Sequence, residues 1–224
     1  MEGLIPGKPF QTKEEYIYDS LRTAILQCKI KPGAKLVIDH LTSTFGSSTI
    51  PIRTALQRLQ AEGLVEIVPH SGAVVSEISV DSIVEVFNIL EALERVAFER
   101  AAEKIQPGDL YELEQLMAEM ERSQQAGEID RWSDLNSQFH HRIAEISGMK
   151  LLTDFMDRTL NYWGRVRRYY LADIAAERVP QAQADHRELL ALLKTGKTEE
   201  MLEKVTQHNR QALLAYQRLM QSIA

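Results

Sequence analysis

The sequence predicts a mainly α-helical protein in two parts: three helices with a β-hairpin at the N-terminal end, then an antiparallel all-helical bundle. Three observations carry this. Apolar residues recur at helical spacing through most of the 224 residues. Runs of β-branched residues are confined to residues 64–78. The breaks after that point are short, which favours antiparallel neighbours. The boundary is expected at residues 78/79, giving parts 1–78 and 79–224.

From Lys13 to Lys29, Tyr16, Ile17, Leu21, Ala24 and Ile25 recur with a helical period. Cys28, the only cysteine, reads as a small apolar residue late in that helix and excludes an intrachain disulfide or a Cys-rich zinc site. Lys31-Pro32-Gly33 breaks the helix. Val37–Phe45 reads as a second helix, with Leu41 and Phe45 on one side. Gly46-Ser47-Ser48 is a turn, and a third helix follows over Thr49–Glu62. Ser48 is placed to cap it, and Pro51 falls in its first turn, where a missing N–H costs nothing. Ile52, Ala55, Leu56 and Leu59 form its inward stripe, leaving Arg53, Gln57 and Gln60 outward. Gly63 ends the helix, and Leu64–Pro69 and Ala73–Ile78 flank His70-Ser71-Gly72 as a hairpin. Helix, helix, helix, hairpin within about 65 residues is the layout of a winged helix-turn-helix.

Beyond Ser79, six helical segments are predicted: Asp81–Ile105, Asp109–Ala126, Ile129–Ser147, Leu151–Leu171, Pro180–Lys194 and Thr198–Ile223. The breaks fall at Gln106-Pro107-Gly108, Gly127, Gly148, the stretch 173–179 and Gly196. Such a bundle can hold a ligand or metal in its core.

Composition excludes more than it selects. Hydrophobic residues make up 44% and charged residues 26%, ordinary for a soluble globular protein. No segment reaches the ~18 uninterrupted apolar residues of a membrane span, and the first fifteen residues have no apolar signal-peptide core, so a cytoplasmic location is expected. The net charge of −6 is unevenly spread. Residues 1–76 hold 8 basic and 7 acidic side chains and the remainder 18 and 25, so the acid lies in the bundle. The N-terminal part is near neutral, which permits DNA binding, since phosphate contacts need local rather than global positive charge. No His-Glu-x-x-His, nucleophile, phosphate-loop or dinucleotide motif is present. A metal-dependent hydrolase on the bundle is therefore a remote alternative, and no enzymatic activity is expected.

In the bundle, Asn136 and His140 are spaced i, i+4 and share a helix face. His186 and His208 lie on later helices where the apolar period points inward. Three imidazoles and one oxygen suit Zn²⁺ or Ni²⁺; hydrogen-bonded core histidines are the other reading of the same spacing. Asp134 falls on another face, and His141 and His40 read as surface residues. A further cluster runs from Tyr162 to Tyr170. Tyr162, Arg165 and Tyr169 share one helix face, and Arg167 and Tyr170 less tightly share another with Trp163; one of these arginines facing inward would need an anionic partner, such as a carboxylate ligand.

Pro32-Gly33, Ile50-Pro51-Ile52-Arg53-Thr54-Ala55-Leu56-Gln57-Arg58-Leu59, Glu62-Gly63-Leu64-Val65 and His70-Ser71-Gly72-Ala73-Val74-Val75 together resemble the GntR family of transcription regulators. The remainder resembles the FCD ligand-binding domain of its FadR subfamily. The resemblance implies a DNA-binding regulator with DNA contacts at Arg53, Ser48, Thr49 and Arg58 and in the wing around Gly72. Thr49 stands where family members usually carry Arg, which implies a different operator or affinity. Lys35, His40 and His70 are lesser candidates. Many FCD domains carry an Asp-x-x-x-His helix and two later histidines that bind a metal. The resemblance thus implies a site of Asn136, His140, His186 and His208, with a neutral oxygen in place of a carboxylate. Leu90 stands where many such domains carry Arg shortly before the Leu93-Glu94 pair, which points to a less acidic or larger apolar ligand.

The implied function is a homodimeric regulator, two recognition helices reading a two-fold operator, with operator affinity set by a small molecule bound near a divalent metal. An alternative makes the metal itself the effector.

Overall fold

The computed structural model describes residues 12–223. The first eleven residues, on which the signal-peptide reading chiefly rests, lie outside the described residues. The chain divides into two compact units, Met1–Glu77 and Ile78–Ala224, and is mainly α-helical as predicted.

In the first unit, α1 (Lys13–Leu26) starts at a capping box formed by Thr12 and Glu15. It buries Ile17, Leu21, Ile25 and Leu26. Tyr16, expected on that stripe, is instead 56% exposed and meets Phe45 edge-on. Cys28 lies past the helix end, half-buried and in the left-handed region at φ 53°, rather than in its last turn. A short strand that the sequence reading missed, β1 (Lys35–Val37), precedes α2 (Ile38–Phe45). Three residues give too short an alternation to stand out. Gly46 closes α2 at φ 55°, and its carbonyl accepts from Lys13 Nζ at 2.9 Å. Next come α3 (Thr49–Ala61), β2 (Val65–Val68) and β3 (Gly72–Val75). The sheet order is β1-β3-β2, antiparallel throughout, with Val37 opposite Gly72 and Ile67 opposite Ala73. Ile52, Ala55, Leu56 and Leu59 are buried as the period of α3 requires.

The second unit holds five helices: α4 (Val80–Lys104), α5 (Pro107–Gln125), α6 (Ile129–Ile146), α7 (Lys150–Thr195) and α8 (Thr198–Ile223). Ser79 and Ser82 cap α4 reciprocally, and Pro107 opens α5. Helix α4 packs against α8, α7 and α6, and α7 also against α8, α6 and α5.

The predicted interruption at residues 173–179 is absent. The two expected segments form one helix of 46 residues with Pro180 inside it. Yet Trp163 and Ala182, nineteen residues apart, line the same small cavity. On a straight helix they would be separated by roughly 28 Å, so α7 bends. Pro180 supplies the cause: its missing N–H and its ring disturb the ladder one turn back. The sequence signal marked a bend, and the helix continues through it because neighbouring helices bury both arms.

Candidate effector and DNA-reading sites

The bundle core contains a polar nucleus. His140 from α6, His186 from α7 and His208 from α8 are all buried, and each offers a ligand atom within 4.8 Å of the others. His140 Nε2 and His186 Nε2 lie 3.2 Å apart. Two nitrogens on one tetrahedral ion with Zn–N bonds of about 2.0–2.1 Å would be separated by roughly 3.3 Å. Asn136, one turn before His140, is buried and lines the same cavity.

Two imidazoles are oriented from behind by buried carboxylates. Glu94 Oε1 is 2.8 Å from His140 Nδ1, and Glu94 Oε2 accepts from Asn209 Nδ2 at 2.6 Å. Asp185 Oδ2 is 3.1 Å from His208 Nδ1. The Asp185 hydrogen bond at His208 Nδ1 fixes that tautomer and leaves Nε2 as the lone-pair donor, the arrangement that metal-binding histidines use, while Glu94 sets its charge beside His140 Nδ1. Burial, with repulsion from His208 and His140, holds His186 well below the usual imidazole pKa. Burial likewise lowers His208 to about 4, against the Asp185 hydrogen bond and with help from Arg178. Both imidazoles are therefore neutral at pH 7, as coordination requires. For Glu94, burial acts to raise the pKa, but His140, His208 and the Asn209 hydrogen bond outweigh it and the net shift is downward. Lys204 and Arg178 flank Asp185 at 2.8 and 3.6 Å. The histidines, Asn136 and these carboxylates fit a divalent ion.

Of the predicted ligand residues, Arg165 is buried, Tyr162 half-buried and Tyr169 40% exposed. None lines the histidine cavity. The arginines that do are Arg167 and Arg178, beside Trp163, Phe87 and Tyr216. Trp163 and Arg167 are from the looser face of that cluster; an all-round buried stretch from Trp163 to Arg167 offers no polar side from which to choose between the two faces. Glu94 was legible in principle: Phe87, Leu90, Glu94, Ala97 and Ala101 form one buried stripe, and a charged residue inside an apolar stripe demands a partner. Asp134 faces out to Arg168, and His141 pairs with Asp157 and Glu145 at the surface, both as read from spacing.

In the first unit, Ser48, Thr49, Ile50 and Arg53 are exposed along the start of α3. Ser48 is the N-cap but makes no side-chain capping bond, leaving hydroxyl and first-turn N–H groups to meet an anion. Arg58 is turned back onto α1, 3.8 Å over the Tyr18 ring and 3.5 Å from Glu14. Gly72 is buried. At φ 141°, a Cβ added there would lie 2.0 Å from the Leu36 carbonyl oxygen. It lets β1 approach β3, and the exposed wing residues are its neighbours His70 and Ser71.

A three-helix unit with a wing, joined in one chain to a helical bundle, is the architecture of a class of two-domain DNA-binding regulators. Residues 13–75 match the family described as bacterial regulatory proteins, gntR family, and residues 85–211 match the FCD domain. The chain is similar to the HTH-type transcriptional repressor RspR of Escherichia coli, 30% identical over 71% of this chain and 70% of that protein. It is also similar to the HTH-type transcriptional regulator McbR of Escherichia coli, 28% identical over 74% and 75%. The solved structure of Escherichia coli McbR/YncC superposes with a TM-score of 0.77, covering 94% of this chain and 100% of that one at 24% identity, a likeness of fold. The chain belongs to the GntR family: it is a DNA-binding transcription regulator with an FCD effector domain, and not an enzyme. Among the described residues no helix is long and apolar enough to cross a membrane.

Proposed function

We propose that this regulator changes its operator affinity when a small ligand, a carboxylate in the simplest case, binds beside a divalent metal in the bundle. The metal, Zn²⁺ or Ni²⁺ by donor chemistry, would be held by His140, His186, His208 and Asn136. The observation that carries this is the convergence of three buried imidazoles, two of them backed by buried carboxylates. A bound ion supplies a Lewis-acidic anchor for a ligand oxygen. Arg53, Ser48 and Thr49 would read DNA from the exposed start of α3, with His70 and Ser71 in the wing. Arg58 is assigned to support α1, since its guanidinium is already engaged.

The chain would act as a homodimer, matching two recognition helices to a two-fold operator. The outer groove between α4 and α8, with Val96 and Leu214 exposed in it, is the surface proposed to meet the second copy.

A second reading makes the metal itself the effector. The histidine cavity holds only about 30 Å³, room for an ion and little else.

Elemental analysis of the untagged protein beside His208→Ala tests the metal. One ion per chain, lost in the variant, is expected. No ion after loading would leave the 3.2 Å imidazole pair as a plain hydrogen bond. Titration of operator binding with metal, then with carboxylates at saturating metal, separates the two readings.

A further inference from the structure

Ile50, in the first turn of α3, is 74% exposed, and no other large apolar side chain among the described residues is so exposed. A lone apolar residue on a surface is ordinary; the place of this one is not. At about 100° per residue, Ile50 points almost directly away from Ile52, Ala55, Leu56 and Leu59, the stripe that α3 buries. Arg53 and Gln57 follow it on the same outward face, both exposed. Thr54, one turn after Ile50, donates its hydroxyl to the Ile50 carbonyl at 3.1 Å. Ile50 is branched at Cβ and has one strongly preferred χ1 in a helix. Its methyl groups are therefore held in place, and a contact made with them costs little side-chain entropy.

The chemistry of the major groove selects what such a residue can meet. Base edges there carry hydrogen-bonding groups and one apolar group, the C5-methyl of thymine. Pressed against the polar edges of guanine, adenine or cytosine, Ile50 would strip water from base atoms and give them no partner. Against a thymine methyl it loses nothing and buries apolar surface. The cations of the unit leave room for a neutral reader. Arg58, the other basic residue of α3, is turned back onto Tyr18 and Glu14, and Arg22 is held by Glu62 at 2.8 Å. Phosphate contacts carry no sequence information in any case. Ile50 and Arg53 are three residues apart, a rise of roughly 4.5 Å along the helix, against about 3.4 Å per base step.

We infer that Ile50 is a specificity-determining residue that reads a thymine methyl in the major groove, one or two base steps from the pair that Arg53 reads. This rests on the reading of α3 as the helix that enters the groove. Two properties set the contact apart from that of an arginine. It neutralises no phosphate and releases no counterion, so its share of the affinity is the same at low and high salt. It recognises a methyl group rather than a hydrogen-bonding pattern, so uracil in place of thymine abolishes it although the base pairing is unchanged.

The test uses the full chain and duplexes that it selects from a randomised pool. The selected sequences should hold a fixed T·A pair one or two steps from a fixed G·C pair. The same selection with Ile50→Ala should free the first pair and keep the second. In the selected duplex each thymine is then replaced in turn by uracil, which removes the methyl alone. One replacement should weaken wild-type binding about fourfold, at about 50 and about 200 mM salt alike. Ile50→Ala should bind that uracil duplex and the thymine duplex equally. Its Tm should stay within about 1 °C of wild type, because the side chain is exposed. Equal wild-type affinity for every uracil duplex, or a uracil penalty undiminished in Ile50→Ala, overturns the assignment. Arg53→Ala separates this from the reading beneath it. Weakened binding by Arg53→Ala with no uracil penalty in wild type keeps α3 in the groove and removes Ile50 alone. Wild-type binding by Arg53→Ala with no uracil penalty removes α3 from the groove altogether.

Discussion

Two arginines show how differently the two units of this molecule hold a charged side chain. Arg53 on α3 is exposed and, among the described residues, has no ion-pair partner. Arg167 on α7 is buried with two of its nitrogens unsatisfied. The first is solvated, so holding it ready for DNA costs the fold almost nothing, and its attraction for phosphate is screened by salt. The second sits in a low-dielectric interior, where an unpaired charge weighs against the fold until a counter-ion arrives. In the first unit an exposed arginine is nearly neutral for stability; in the second, a buried one with unsatisfied nitrogens is not, so a counter-charge reaching it would change the stability of the fold.

The comparison can be broken by experiment. The largest effect is expected from Gly72→Ala, where a Cβ would collide with the Leu36 carbonyl at a positive φ. Strain of several kcal/mol should unfold the wing and abolish operator binding while metal content stays at wild-type level. Loss of metal as well would show that the two units are not independent. Glu94→Gln should leave DNA binding by the metal-saturated protein unchanged but lower metal affinity about 10–100-fold in a chelator competition, since it weakens the hold on His140 Nδ1. Arg53→Ala should weaken operator binding by about 1–3 kcal/mol and leave the melting temperature within about 1 °C, as expected for an exposed side chain; a larger shift would mean that Arg53 has a structural role. The smallest effect concerns pH. The unfolded chain takes up protons on its histidines near pH 6.5, while His186 and His208 in the fold resist until lower pH, His208 to about 4. Between those values the unfolded state binds more protons, so stability falls as pH falls. The metal-free Tm should drop by a few degrees from pH 7 to pH 5. The drop should shrink in His208→Gln, and a flat profile would mean that the histidine core is open to water.

Legibility in the sequence followed the same divide. Where an element has a wet face and a dry face, as in α3, the period fixed both the buried stripe and the exposed Arg53. The histidines were legible because polar residues at inward positions stand out on α6 and α8. The phase of α7 around Arg167 was not legible, because neighbours on all sides are buried and the pattern has no polar reference. The pairing of Glu94 with His140 joins residues 46 apart on different helices, and Asn209 joins Glu94 from 115 residues away. No local period carries such information. β1 was lost to brevity, and the break read at 173–179 is bridged because tertiary packing carries one helix through Pro180.

That proline has a last consequence. Trp163 and Arg167 lie on one arm of α7, and Ala182, Asp185 and His186 on the other. With no loop between the arms, any change in the spacing of those residues would have to be taken up as a change of angle at the bend near Pro180.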